Sequence, residues 1–209
     1  MTNGDVGLGE ERERLMGRVV TAAMAKSTES LSKMTGANVS IESLKFGLVP
    51  ISSAAQLAGG PDTPAAGVYL SVSGDITGHT LLLFPQSCAL DLVDLLCERP
   101  KGTTEVLDCM GRSCLGEVGN ITSTSFLIGL SEHTGLKLRP SPPEVVQDMV
   151  GAILSTILAD LGLVSDEMFA IETEFADEHT SIAGVFLFVP MGDSLQTILS
   201  SLECHADGE

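Results

Sequence analysis

The sequence predicts an α+β fold: a single pseudo-two-fold domain with a shared sheet of about six mainly antiparallel strands and two long helices on one face. Three observations predict it. A long helical pattern followed by strand patterns occurs twice in the same order, and short similar stretches recur at a nearly constant offset. The 209 residues, 44% of them hydrophobic, suffice for a sizeable core, yet neither half could easily bury its apolar face alone.

The first long helix is predicted over residues 9 to 35, where Leu15, Val19, Ala22, Ala23 and Leu31 recur near the helical period and Gly36 supplies a stop. Residues 38 to 49 alternate as a strand through Val39, Ile41 and, after a slip, Leu44, Phe46 and Leu48. GGPDTPAAG, residues 59 to 67, reads as a loop by its glycines and prolines. A hairpin, GVYLSVSGDITGHTLLLF, follows, with SGDITG as its turn, and then a short helix from about 86 to 98. After RPKGTT the order begins again: a long helix over 105 to 134 with a stop at Gly135, the strand LKLRP, a connector, a hairpin and a short helix. LSKMTG at 31 to 36 matches LSEHTG at 130 to 135, an offset of 99. LLLFP at 81 to 85 is set beside FLFVP at 186 to 190, each proline opening a short helix. The two repeats therefore cover about 9–99 and 105–203 of one domain spanning 1–209. The second connector, residues 140 to 162, departs from the first. Its apolar residues Val145, Val146, Met149, Ile153, Ile157, Leu158 and Leu161 behind a run of prolines predict an added amphipathic helix packed on the core.

Composition excludes several classes of function. Eleven Lys and Arg against 28 Asp and Glu leave a net charge of −17 with no basic stripe, so no nucleic-acid partner is expected. The five cysteines form no C-x-x-C pair and are odd in number, which speaks against a disulfide framework or a zinc site and for a reducing compartment. The N-terminus lacks the basic-then-apolar layout of a secretory signal, and no unbroken apolar run reaches bilayer length. A cytoplasmic location without membrane insertion is expected. The four histidines sit at unrelated spacings, and no G-x-S-x-G, P-loop or strand-borne G-x-G-x-x-G is present.

What remains is LGEVGN, residues 115 to 120, within the second long helix. Ser113, Glu117 and Asn120 fall at i, i+4 and i+7 and so share one face, with Gly116 and Gly119 on adjoining rows. A glycine costs a helix interior about 1 kcal/mol relative to alanine, so two of them need a reason. Glu-x-x-Asn alone is a short pattern that many unrelated chains contain, and by itself it reads more readily as a solvated face. The expectation here is that the glycines strip bulk from beside Glu117 and Asn120, allowing another protein's active-site loop to come close.

Ser113, Glu117 and Asn120 followed by Pro143 form a four-point pattern at fixed spacing that resembles the signature of the CheC/CheX/FliY phosphatases of chemotaxis. The stretches AAQLAGGPDTPAAGVYLSVSGDITGHTLLLFP and PSPPEVVQDMVGAILSTILADLG resemble the CheC-like branch in particular, as does the internal repeat, and the resemblance runs from the first helix to the last. It implies hydrolysis of the aspartyl phosphate of a CheY-like response regulator. The regulator would supply both the phosphorylated Asp and its Mg²⁺, so no cofactor of the chain's own is implied. Phosphoryl transfer is chiefly positioning and charge stabilisation. By motif position, Asn120 would hold the attacking water through its carboxamide, a neutral group that both donates and accepts. Glu117 would dock onto the regulator's active-site lysine. Ser113 would add a peripheral contact, Gly116, Gly119 and Ser123 would line the partner-contacting surface, and Pro143 would shape the adjoining loop.

The family's motif often occurs once per repeat. At the offset of 99, the first helix carries Arg14, Arg18 and Thr21 where the second carries Ser113, Glu117 and Asn120. Threonine lacks the carboxamide's reach, and arginine would repel the lysine that glutamate attracts. One active face per chain is expected, with a degenerate first site at Arg18 and Thr21. The resemblance also implies an alternative: a non-catalytic adaptor that binds the receptor deamidase CheD or a flagellar-switch component.

Overall fold

The computed structural model describes residues 10–35, 40–50, 53–160, 167–176 and 181–206. Alternation makes the strands and the helical period makes the helices, in the order α1 (Glu10–Thr35), β1 (Ser40–Pro50), α2 (Ala54–Leu57), β2 (Pro64–Gly74), β3 (Gly78–Pro85) and α3 (Gln86–Leu96). The second half repeats that order with one strand more: α4 (Cys109–Thr134), β4 (Leu138–Pro140), β5 (Glu144–Met149), α5 (Val150–Asp160), β6 (Glu167–Ala176), β7 (Ser181–Pro190) and α6 (Ser194–Ala206). The α+β architecture is the expected one.

Among the described residues every strand pairing is antiparallel, in the order β1-β6-β7-β3-β2-β4, with β5 also on β2. β4 takes Val72–Gly74 of β2 and β5 takes Pro64–Tyr69, so the two short strands share one edge position. That is how the described residues hold seven strands where about six were expected. Each half sends the strands that follow its long helix to the other half's hairpin, β1 to β6, and β4 and β5 to β2, so the halves interlock through the sheet.

Both faces of the sheet are buried. Under the long helices lie Phe84, Phe169, Phe175, Phe186 and Phe188 of the sheet, and Phe126 of α4 reaches down to them, its ring 5.1 Å from that of Phe186 and 5.3 Å from that of Phe188. On the opposite face Leu81, Leu83, Val185, Leu187 and Val189 pack against Ala54 and Ala58 and against Val150, Ile153 and Leu154 of α5. The helix α1 lies along α4, where Gly129 admits Val19 and Ala23, and Lys26 pairs with Glu132.

Several boundaries differ from those read in the sequence. Pro64 to Gly67, expected as loop, begin β2, where they pair with β3 and β5. The second long helix starts at Cys109 rather than near 105, because the Asp108 side chain accepts the Gly111 amide at 2.8 Å and caps it. The connector is a helix only from Val150. Val145 packs into the cluster under the long helices and its neighbour Val146 into the opposite one, as successive strand residues must. Ile153 is buried as expected, whereas the side chains of Ile157 and Leu158, and Leu161 altogether, lie outside the described residues, as do Gly36 and Val39. The slip in β1 is a register irregularity between Ser43 and Lys45. Setting LLLFP beside FLFVP equates Leu82 with Leu187, yet these occupy opposite faces of the sheet. Leu82 and Phe84 share their face with Phe186 and Phe188, so that local match is out of phase by one residue.

The segment joining α3 to α4 is held by one buried carboxylate. Asp94 accepts the Thr103 amide at 2.8 Å, the Thr104 amide at 3.0 Å and the Thr104 hydroxyl at 2.5 Å. Burial alone would raise its pKa, but these hydrogen bonds together outweigh that and hold it below the usual carboxylate value. Asp94→Asn removes charge-assisted acceptance and should cost about 2 kcal/mol at neutral pH in denaturant unfolding. A depressed native pKa contributes stability above the unfolded-state value, about 3.9, and loses it as the pH falls through the native one. The gap between wild type and variant should therefore shrink below about pH 4.

Candidate functional site

Helix α4 is positioned by its ends and by its inward face. Asp108 caps its start, Leu107 packs over Gly111, and Gly135 closes it in the left-handed conformation at φ 71°. Arg112 ties its first turn to the neighbouring edge strand, Nη2 donating to the Val145 carbonyl at 2.6 Å and Nη1 to Gln147 Oε1 at 3.0 Å. Inside the fold, Thr80 donates to the Ser123 hydroxyl at 3.0 Å. That buried bond fixes how the helix is rolled on the sheet.

The roll leaves Ser113 and Glu117 exposed and Asn120 half-buried on the solvent side. Among the described residues neither the Glu117 carboxylate nor the Asn120 carboxamide has a side-chain hydrogen bond or ion pair. The Ser113 hydroxyl donates to the Cys109 carbonyl at 3.0 Å, leaving its lone pairs available. Pro143 enters β5 from a short segment pinned to β2, where Ser141 N donates to the Ser71 carbonyl at 2.8 Å and the Ser141 hydroxyl accepts the Ser71 amide at 3.0 Å. Two cavities of about 430 Å³ occur elsewhere, and neither is lined by Glu117 or Asn120. The Glu117 and Asn120 side chains therefore stand on the outer face of α4, outside both cavities. Side chains so placed can enter another molecule's cleft.

Gly116, Gly119 and Ser123 are buried, so they do not line the surface that presents Glu117 and Asn120, contrary to the expectation from their spacing. The glycines thin the helix on its inner side. A Cβ on Gly119 would overlap Cβ and Cγ1 of Val68 in β2, and one on Gly116 would reach 3.4 Å from Val145 of β5. They serve close helix–sheet packing, and presentation of the motif follows from it.

On α1, Arg14, Arg18 and Thr21 are all exposed, on a surface corresponding to that of Ser113, Glu117 and Asn120. Arg14 is paired with Glu11 at 2.6 Å. Gly17 of α1 faces Phe46 of β1, as Gly116 faces Val145, each pair member standing at the offset of 99. Sequence reading missed Arg112, the side chain that joins α4 to β5. Nothing beside it in the chain marks it, because its partners are 33 and 35 residues away.

Among the described residues there is no group of three or more His, Cys, Asp or Glu that could hold a metal ion, and no helix is long and apolar enough to cross a membrane. Residues 110–146, which contain the four motif positions, match the model of the CheC-like family. The chain is 29% identical to the CheY-P phosphatase CheC of Bacillus subtilis (strain 168) over 200 residues, covering 94% of this chain and 96% of that protein. In fold it is similar to Thermotoga maritima FliY, with a TM-score of 0.73 at 19% identity over 95% of this chain and 98% of that one. It is also similar to the FliM middle domain from H. pylori, with a TM-score of 0.66 at 13% identity over 93% and 99% of the two chains.

Packing and presentation separate cleanly at the two glycines. Gly119→Ala should destabilise the chain by about 2–3 kcal/mol in thermal or denaturant unfolding, since Val68 is branched and fully buried. Gly116→Ala meets only ordinary contact, gains helix propensity, and should leave stability unchanged or raised by up to about 1 kcal/mol.

Proposed function

From a chain that is CheC-like in sequence and shares its fold with FliY, we propose a phosphatase that hydrolyses the aspartyl phosphate of a CheY-like response regulator and so ends a chemotaxis signal. The observation that carries this reading is the unpartnered Glu117–Asn120 pair on the exposed face of α4, inside the segment that matches the family model. The reaction needs a water held in line with the carboxylate that leaves phosphorus. An amide on a rigid helix can hold it, because its oxygen accepts a proton of the water while its NH₂ donates to a phosphoryl oxygen, and it brings no charge to repel the phosphate. Glu117, one turn earlier, offers a carboxylate to the regulator's active-site lysine and fixes the approach of Asn120. The regulator brings the phosphoryl group, the leaving carboxylate and the Mg²⁺. This division of labour fits an exposed helix face whose Glu117 and Asn120 line neither of the two cavities.

A second reading, an adaptor for the deamidase CheD or a switch component, draws its support from α1, where Arg14, Arg18 and Thr21 replace the motif and stay exposed. The two readings use different helices. Phosphate release from a phosphorylated regulator should fall about a hundredfold with Asn120→Ala, as befits loss of a water-positioning group. Glu117→Ala should act mainly by raising KM for the regulator, and Arg18→Ala should leave the rate unchanged. Equal rates for wild type and both α4 variants, together with capture of CheD that Arg18→Ala abolishes, would favour the adaptor.

A further inference from the structure

The phosphatase motif leaves one chemical feature of the helix unused. Cys114, between Ser113 and Glu117 on α4, places its sulfur 3.7 Å from that of Cys97. Both thiols are free and half-buried, whereas Cys109 and Cys204 are exposed. Cys97 caps the end of α3, its amide donating to the Val93 carbonyl at 3.0 Å, and the following segment is held by Asp94 through Thr103 and Thr104. One sulfur of the pair therefore stands on a braced turn and the other on the helix that presents Glu117 and Asn120.

We propose that Cys97 and Cys114 form a reversible disulfide, closed by peroxide and reopened by a thiol reductant, and that closing it lowers the output of the α4 face, a coupling that rests on the phosphatase reading of that face. In the first step one thiol attacks hydrogen peroxide: the O–O bond breaks, an S–O bond forms, and a sulfenic acid and one water result. The second thiol then attacks the sulfenic sulfur, forming the S–S bond and releasing the hydroxyl with the thiol proton as a second water. The two thiols lose two electrons and two protons, and the peroxide is reduced to water. Two equivalents of a thiol such as glutathione reverse the bond and leave as their own disulfide.

Burial, followed by the contact with Cys97, pushes the Cys114 thiol up to about 11. Cys114 is thus held as the thiol at neutral pH. An S–S bond is about 2.05 Å long, so the sulfurs must close by about 1.7 Å. Side-chain rotation takes part of that distance and the second turn of α4 the rest. A shift of about 1 Å in a positioning group can cost up to a hundredfold in rate.

The test treats the full chain with hydrogen peroxide, alkylates the remaining thiols, and maps linked peptides by mass spectrometry beside regulator dephosphorylation. The Cys97–Cys114 link should predominate, the rate should fall at least about fivefold, and dithiothreitol should reverse both. Cys97→Ser and Cys114→Ser should each abolish the link and the peroxide sensitivity, whereas Cys109→Ser should leave both in place. Absence of that link, or a linked protein that works as fast as the reduced one, would overturn the proposal. A reduced protein with no activity on any phosphorylated regulator would overturn the phosphatase reading and the coupling with it, while the mapped link would still stand as a redox site.

Discussion

Helix α4 lies so close to β2 that no side chain fits between them at Gly119, where Val68 fills the space a Cβ would need. The rest of the molecule depends on that approach. With the backbone seated on the sheet, Ser123 reaches Thr80, Phe126 reaches Phe186 and Phe188, and Gly116 comes over Val145. The roll so defined turns Glu117 outward and leaves Asn120 half-exposed, with neither tied to another side chain. Helix propensity lost at the glycines is offset by dense packing, and the same packing holds the exposed face rigid.

Rigidity is what a positioning catalyst requires. A group that acts by holding a water must not wander, and a helix clamped along its inner side restricts it more than a loop would. The edge strand β5 contributes through Arg112, which joins the first turn of α4 to Val145 and Gln147. The interlocked sheet completes the support, because the hairpin beneath α4 belongs to the first half and the helix to the second. On α1 a comparable platform carries Arg18 and Thr21. The two outer faces therefore differ in chemistry far more than in placement.

Local patterns in the sequence were legible wherever a single element decided them. The two long helices, the hairpins, the left-handed stop at Gly135 and the shared face of Ser113, Glu117 and Asn120 all follow from period and punctuation. Three features were not, each because a non-local partner decides it. Val145, Val146 and Met149 suit a helix by spacing, but the unpaired edge of β2 recruits them as a strand. Gly116 and Gly119 announce a close approach without saying to what, and the answer was Val68 and Val145 rather than another protein. Ser123 lies one turn beyond Asn120 in sequence, yet Thr80 of β3 draws it inward. A serine can face either way, and only the sheet beneath chooses.

The most direct measurement of the central claim is the initial rate of aspartyl-phosphate loss from a phosphorylated regulator with Asn120→Gln in place of wild type. Glutamine keeps the carboxamide and the solubility of the surface but moves the amide outward by about 1.5 Å. If Asn120 works by holding a water at a fixed point, the rate should fall at least about tenfold while thermal stability and regulator binding stay as they were. A variant that dephosphorylates the regulator as fast as wild type would contradict the account.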